Sequence, residues 1–238
     1  MSAPVSTAAG NPATVAVPRT PALVAGSALL LMAGLAGWAG VGVLLPLVTA
    51  PDPVVTIVGS VGAVRAAAGA LVIVAVLDVV VAWALFEVLR PTQEALARVA
   101  AWLRTAYAAG FVLAVSHVLV AVEMVAAADG TDAELGRTVK RELLTFQTMW
   151  EVGLLLVGLH LLLIGVALWR GPGFPRWLGA FVVLCGVGYA FDALAVVVVP
   201  GPLWSLTTVT FVGEVALAIW LLVRAFRGET AAPSQVRS

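Results

Sequence analysis

Charge is scarce in this chain. Lys, Arg, Asp and Glu together make up 11% of its 238 residues, against roughly 25% in a soluble domain. That leaves too little polar surface to cover a soluble fold in which 62% of residues are apolar. The net charge is zero, which argues against nucleic acid as a partner, because phosphate binding needs a basic excess. There is one cysteine, Cys185, so no intramolecular disulfide framework exists; inside an apolar segment it reads as a small buried hydrophobe. Common catalytic signatures are missing too. The sequence has no H-E-x-x-H zinc motif, no G-x-S-x-G nucleophile elbow and no P-loop, which excludes the hydrolase and nucleotide-binding classes they mark.

What the chain does have is long apolar runs. About 20 apolar residues in a helix match the ~30 Å hydrocarbon core of a bilayer. Six such runs are legible: 22–48, 61–89, 92–128, 149–169, 174–199 and 203–223. The breaks between them carry turn chemistry, at Pro51-Asp52-Pro53, Arg90-Pro91, Gly171-Pro172-Gly173 and Pro200-Gly201-Pro202. The expected fold is therefore all-α, a polytopic transmembrane bundle of six spans over residues 21–227, with disordered cytoplasmic tails at 1–20 and 228–238. The apolar run after the N-terminal tail is too long for a signal-peptide core and lacks a basic start, so the tail is expected to be retained.

Thr131 and Glu134 fit a capping box, which starts a helix near Thr131. Leu135, Val139, Leu143 and Phe146 then share one stripe, consistent with a helix lying at the membrane surface or with one extending above it. The third run is long for one crossing, so its first turns, with Glu94, Arg98 and Arg104, are expected in water. Placing the N-terminus inside gives the cytoplasmic segments nine basic residues, Arg19, Arg90, Arg98, Arg104, Arg170, Arg176, Arg224, Arg227 and Arg237, of thirteen in all. This positive-inside bias puts both termini in the cytoplasm of a cell membrane. Trp102, Trp169, Trp177 and Trp204 fall at expected interfaces.

Ionisable groups inside the runs carry the functional information, because a charge at the bilayer centre is costly unless paired, protonated or hydrated. At ~1.5 Å per residue, Asp78, His160 and Glu214 come out about 15 Å deep, His117 about 20 Å and Asp192 about 24 Å. With Tyr189 they form the expected intramembrane polar cluster, and Arg104, Tyr107, Glu123 and Glu151 are secondary polar positions. Gly110, Ala114, His117 and Ala121 share one helical face, as do Gly153, His160 and Ala167. Glu151 aligns instead with Gly158 and Gly165, which gives the fourth run two packing faces. The expected partner of Glu214 is His160 or Asp78.

Three readings of the polar layer follow. It is a protonatable site for proton-linked or small-solute transport or sensing; or it only binds helices together in a structural or regulatory component; or the two histidines hold a metal or haem in an intramembrane enzyme. No cofactor is required by the sequence, and the balance leans away from an enzyme. The lipid bilayer is the partner composition demands, and a homo-oligomer is compatible with it.

Ordered fragments also carry a resemblance. They are 77–85 leading to Leu89-Arg90-Pro91, then 100–104 with Tyr107, Gly158-Leu159-His160-Leu161 with Gly165, Leu178-Gly179 with Gly188-Tyr189 and Asp192, and Gly213-Glu214 before 220–222. Together they resemble the prokaryotic membrane family defined by a domain of unknown function, DUF4386, over about residues 61–227. The resemblance implies a six-span bundle in a bacterial membrane. It marks Asp78, Arg104, His160, Asp192 and Glu214 as matching the family's polar motifs, and His117 as matching none.

Overall fold

The computed structural model describes residues 17–130, 132–199 and 211–227. Five helices are present among them: α1 Arg19–Thr49, α2 Pro53–Ala127, α3 Ala133–Arg170, α4 Arg176–Val198 and α5 Val212–Arg227. Four of them, α1 to α4, are long and apolar enough to cross a membrane. In the most apolar windows of these four, between 33% and 50% of residues are buried inside the protein. The rest of each window is apolar and faces outward, a pattern that suits lipid and not water.

Their ends follow from local chemistry. Asp52 caps α2, its Oδ1 accepting from the backbone N–H of Val54 at 3.0 Å and of Val55 at 3.1 Å, while Pro53 takes the first position, where its missing N–H costs nothing. The α3 cap is Asp132, which accepts from Leu135 N at 2.7 Å. Thr131, the expected capping residue, lies outside the described residues, although the helix does begin next to it.

At 75 residues α2 would be about 110 Å long if straight. It is folded in half instead. Pro91 removes an amide donor inside the helix, and two residues on, Gln93 breaks it with φ −144° and ψ 51°. The two limbs, 61–92 and 94–127, run back along each other, so that Arg104 reaches Asp78 and Arg65 reaches Glu123. This is the break expected at Arg90-Pro91, displaced by a few residues.

The stripe Val139, Leu143 and Phe146 is buried in the bundle. The start of α3 is therefore a continuous extension of the helix, and the surface-lying alternative is corrected: the stripe packs on protein, not on lipid headgroups. Farther along, α3 does use two faces. Gly158 and Gly165 meet Gly186 and Gly179 of α4 so closely that a Cβ at Gly165 would lie 2.9 Å from the Gly179 carbonyl, and one at Gly186 2.7 Å from that of Gly158. Small residues at two-turn spacing on both helices permit this backbone contact. The other face, with Gly153, His160 and Ala167, packs on α2.

Neighbours close into a ring: α1 packs on α2, α2 on α3, α3 on α4, α4 on α5, and α5 back on α1. Within α1, residues Gly37–Leu44 widen into a π-helical segment, a rare conformation that recurs at functional sites. It is glycine-rich for a spatial reason. A Cβ at Gly40 would sit 2.8 Å from the ring of Trp150, so the glycine gives the indole its seat.

Candidate functional site: an arginine-centred cluster beside a cavity

Arg104 is at the centre of the ring, 2% exposed. Its Nε donates to Asp78 Oδ1 at 2.7 Å, and its Nη1 donates to Glu214 Oε1 at 3.4 Å and lies 3.3 Å from His160 Nε2. One guanidinium thus joins both limbs of α2 to α3 and α5. The expectation that Arg104 projects into water is overturned. The hairpin places it level with Asp78, and a planar cation with five donors is the group best able to satisfy several buried acceptors at once.

The geometry also fixes the histidine. Arginine offers only donors, so His160 Nε2 accepts, and Nδ1, 2.9 Å from the Ala100 carbonyl, carries the proton. His160 is the neutral Nδ1–H tautomer in this arrangement. Glu214 has a second partner in α4, since the Tyr189 hydroxyl donates to its Oε2 at 3.0 Å. Its partners are therefore Arg104 and Tyr189, where His160 or Asp78 was expected. Glu214 can approach because Gly213 lies directly against α4, with no room for a Cβ beside the Phe181 carbonyl at 2.6 Å. The cluster holds more carboxyl groups than cations. Two carboxylates face one guanidinium, and among the described residues Asp78 Oδ2 is buried with no partner.

Beside this cluster lies a cavity of about 460 Å³, within the range of small-molecule sites. All five helices contribute to its wall. Asp78, Arg104, Tyr107, Tyr189 and Glu214 supply the polar part, and Phe111, Trp150 and Phe211 add aromatic surface. Tyr107 stacks on Phe111 at 5.5 Å between centroids, and Phe111 meets Trp150 at the same distance with the rings tilted by 49°. Gly37 and Val41 of the π-helical segment close one side, and Val41 is 66% exposed, so the cavity reaches the surface of the bundle.

Of the residues expected in the cluster, the structure brings together Asp78, His160, Tyr189 and Glu214, with Arg104 and Tyr107 from the secondary set. Others lie elsewhere. His117 Nδ1 is 2.6 Å from Glu142 Oε2, far along α2 from the cluster, so the two histidines do not face each other. Glu123 pairs with Arg65, and Glu151 accepts from Gln147 at 2.7 Å. Asp192 is half-buried one turn beyond Tyr189 and outside the cavity wall. Trp204, expected at an interface, falls outside the described residues.

Fold and site together define a class: an all-helical protein with membrane-like helices around a buried, charged core. The family model for the domain of unknown function DUF4386 matches residues 24–225, and the chain belongs to that family. An uncharacterized protein of Archaeoglobus fulgidus is 28% identical over 152 residues, covering 64% of this chain and 79% of the archaeal one. No solved structure matches.

Proposed function

We propose that this is a six-span membrane protein whose Arg104 cluster and adjoining cavity form a proton-exchanging site for a small solute, used in transport or sensing. The observation that carries the reading is the cavity wall: every helix contributes to it, and it contains a guanidinium, two carboxylates and a tyrosine that already bonds one of them. A layer serving only as helix glue needs no such space. The six crossings are α1, the two limbs of α2, α3, α4 and a last one ending in α5. Both termini are cytoplasmic in this reading, and the arginine asymmetry supports that even with Arg104 removed from the count. Trp102, Trp169 and Trp177, each at least half exposed, suit one interfacial belt.

The test is reconstitution into vesicles that enclose a pH-sensitive dye, with candidate solutes applied outside. Solute-dependent proton movement should be present in the native protein and absent in Glu214→Gln, which keeps size and hydrogen bonding but not the titratable proton. Unchanged proton movement in that variant would remove Glu214 from the role. The structural alternative draws on Arg104, which bridges three helices, and it is favoured if no solute moves protons in either protein.

A further inference from the structure

The proposed binding role leaves the solute's chemistry open, and the cavity narrows it. The ionisable groups that meet there are Asp78, Arg104 and Tyr107 from α2, His160 from α3, Tyr189 from α4, with Cys185 packed beside Gly213, and Glu214 from α5; the α1 wall is wholly apolar. With His160 neutral and the guanidinium positive, one negative charge is in excess whenever both carboxylates are ionised. Among the described residues one hydrogen-bond acceptor, Asp78 Oδ2, also stands unmet. A surplus charge in an apolar surrounding is costly, so the site is neutral only with one additional positive charge, either a proton or a cationic ligand.

The rest of the wall distinguishes between cations. A bare metal ion needs a shell of oxygen or nitrogen donors, and among the described residues no group of three or more His, Cys, Asp or Glu could hold one. The wall offers instead aromatic side chains, Tyr107 stacked on Phe111, Phe111 tilted against Trp150, and Tyr189 and Phe211. Aromatic faces attract organic cations through their ring quadrupoles and cover their apolar bodies. The carboxylates and the Tyr189 hydroxyl on the wall select among these, because their oxygens can accept from N–H groups that a quaternary ammonium lacks.

Resting on the binding role above, we infer that the cavity's ligand is a small protonated amine with an apolar or aromatic body, which occupies the site in exchange for one proton. The exchange balances without any covalent step. The ammonium enters with its charge, and the carboxyl of the Asp78–Glu214 pair that was neutral gives its proton to water. Ammonium and proton therefore exclude each other.

Calorimetry on the purified full-length protein in detergent tests this with four probes of one body: 2-phenylethylamine, its N-trimethylammonium analogue, 2-phenylethanol and 3-phenylpropanoate. Titrations in buffers of different ionisation enthalpy count the protons released. The expected result is that the primary amine binds tightest and releases about one proton, that Glu214→Gln, whose site is already neutral with Asp78 and Arg104, binds it about tenfold more weakly and without that release, and that Phe111→Leu weakens it about fivefold, the scale of one lost cation–π contact. Tightest binding of the carboxylate would make Arg104 the anchor, and equal binding of alcohol and amine would make the cavity merely apolar. Either overturns the amine assignment while keeping a ligand-binding cavity. Binding of none of the four overturns the assignment together with the binding role beneath it.

Discussion

The two limbs of α2 are joined by two arginine–carboxylate pairs of the same chemistry in opposite surroundings. Arg65 and Glu123 meet with side chains 48% and 64% exposed, whereas Arg104 and Asp78 meet with 3% and 2%. An exposed pair is screened and worth about 0–1 kcal/mol. The buried pair has lost its water, and its attraction only offsets that cost when the remaining donors and acceptors are satisfied. At Arg104 they are satisfied by recruiting α3 and α5, except, among the described residues, at Asp78 Oδ2. Charge of one kind thus closes a hairpin at its surface and organises a cavity in its interior.

The largest effect should come from breaking the buried member. Arg104→Met leaves two carboxylates with no cation and is expected to destabilise the protein by about 3–5 kcal/mol. Arg65→Met should cost about 1 kcal/mol or less. Unfolding of both variants in mixed micelles checks the contrast, and similar losses would erase the distinction between the two pairs.

A smaller effect is expected where packing alone is at stake. Gly165→Ala inserts a methyl group 2.9 Å from the Gly179 carbonyl, an overpacking cost of about 1–3 kcal/mol that no flexible side chain can relieve. In contrast, Gly110→Ala, where a Cβ meets nothing within 4 Å, should be neutral or slightly stabilising through helix propensity. The same micelle assay separates the two.

Glu214→Gln should move stability least among the buried changes, within about 1 kcal/mol, because its amide oxygen can accept from Arg104 while its NH2 donates to the Tyr189 hydroxyl. Its effect is expected in proton coupling. Glu142→Gln, at the half-exposed His117 pair, should change neither. Orientation adds a further test in a Cys185→Ala background. Cysteines placed at the exposed positions Glu94 and Asp129 should react with an impermeant thiol reagent from opposite sides of the membrane; reaction from one side contradicts the proposed topology.

Much of this was legible in the sequence, for identifiable reasons. Asp78, His160 and Glu214 could be set at one depth by counting along apolar runs, since helical rise is constant. The two faces of α3 followed from the separate phases of Gly158 and His160. Arg104 was misplaced because depth was counted from the start of a run that looked too long for the membrane. A signal was available in the hairpin: Asp78 stands thirteen residues before Pro91 and Arg104 thirteen after it, and limbs of an antiparallel pair bring such positions level. His117 was drawn into the cluster on depth and on its small-residue face, although Glu142 meets it from the opening turns of α3. Neither the π-helical segment nor the seat of Trp150 on Gly40 was foreseeable, because both depend on how α1 meets a helix more than a hundred residues away.

The claim that the Arg104 cluster faces a wet, accessible cavity can be tested most directly with a small cationic, water-soluble thiol reagent on the Cys185→Ala protein. Leu154 is in the cavity wall, and Leu184, 57% exposed, faces outward from α4. A cysteine at Leu154 should be modified readily and be protected by 2-phenylethylamine, while one at Leu184, on the outward face that the proposed membrane embedding covers, should stay inert. If the Leu154 cysteine proves as inert as the Leu184 cysteine, the cluster is sealed and serves only to hold the helices together.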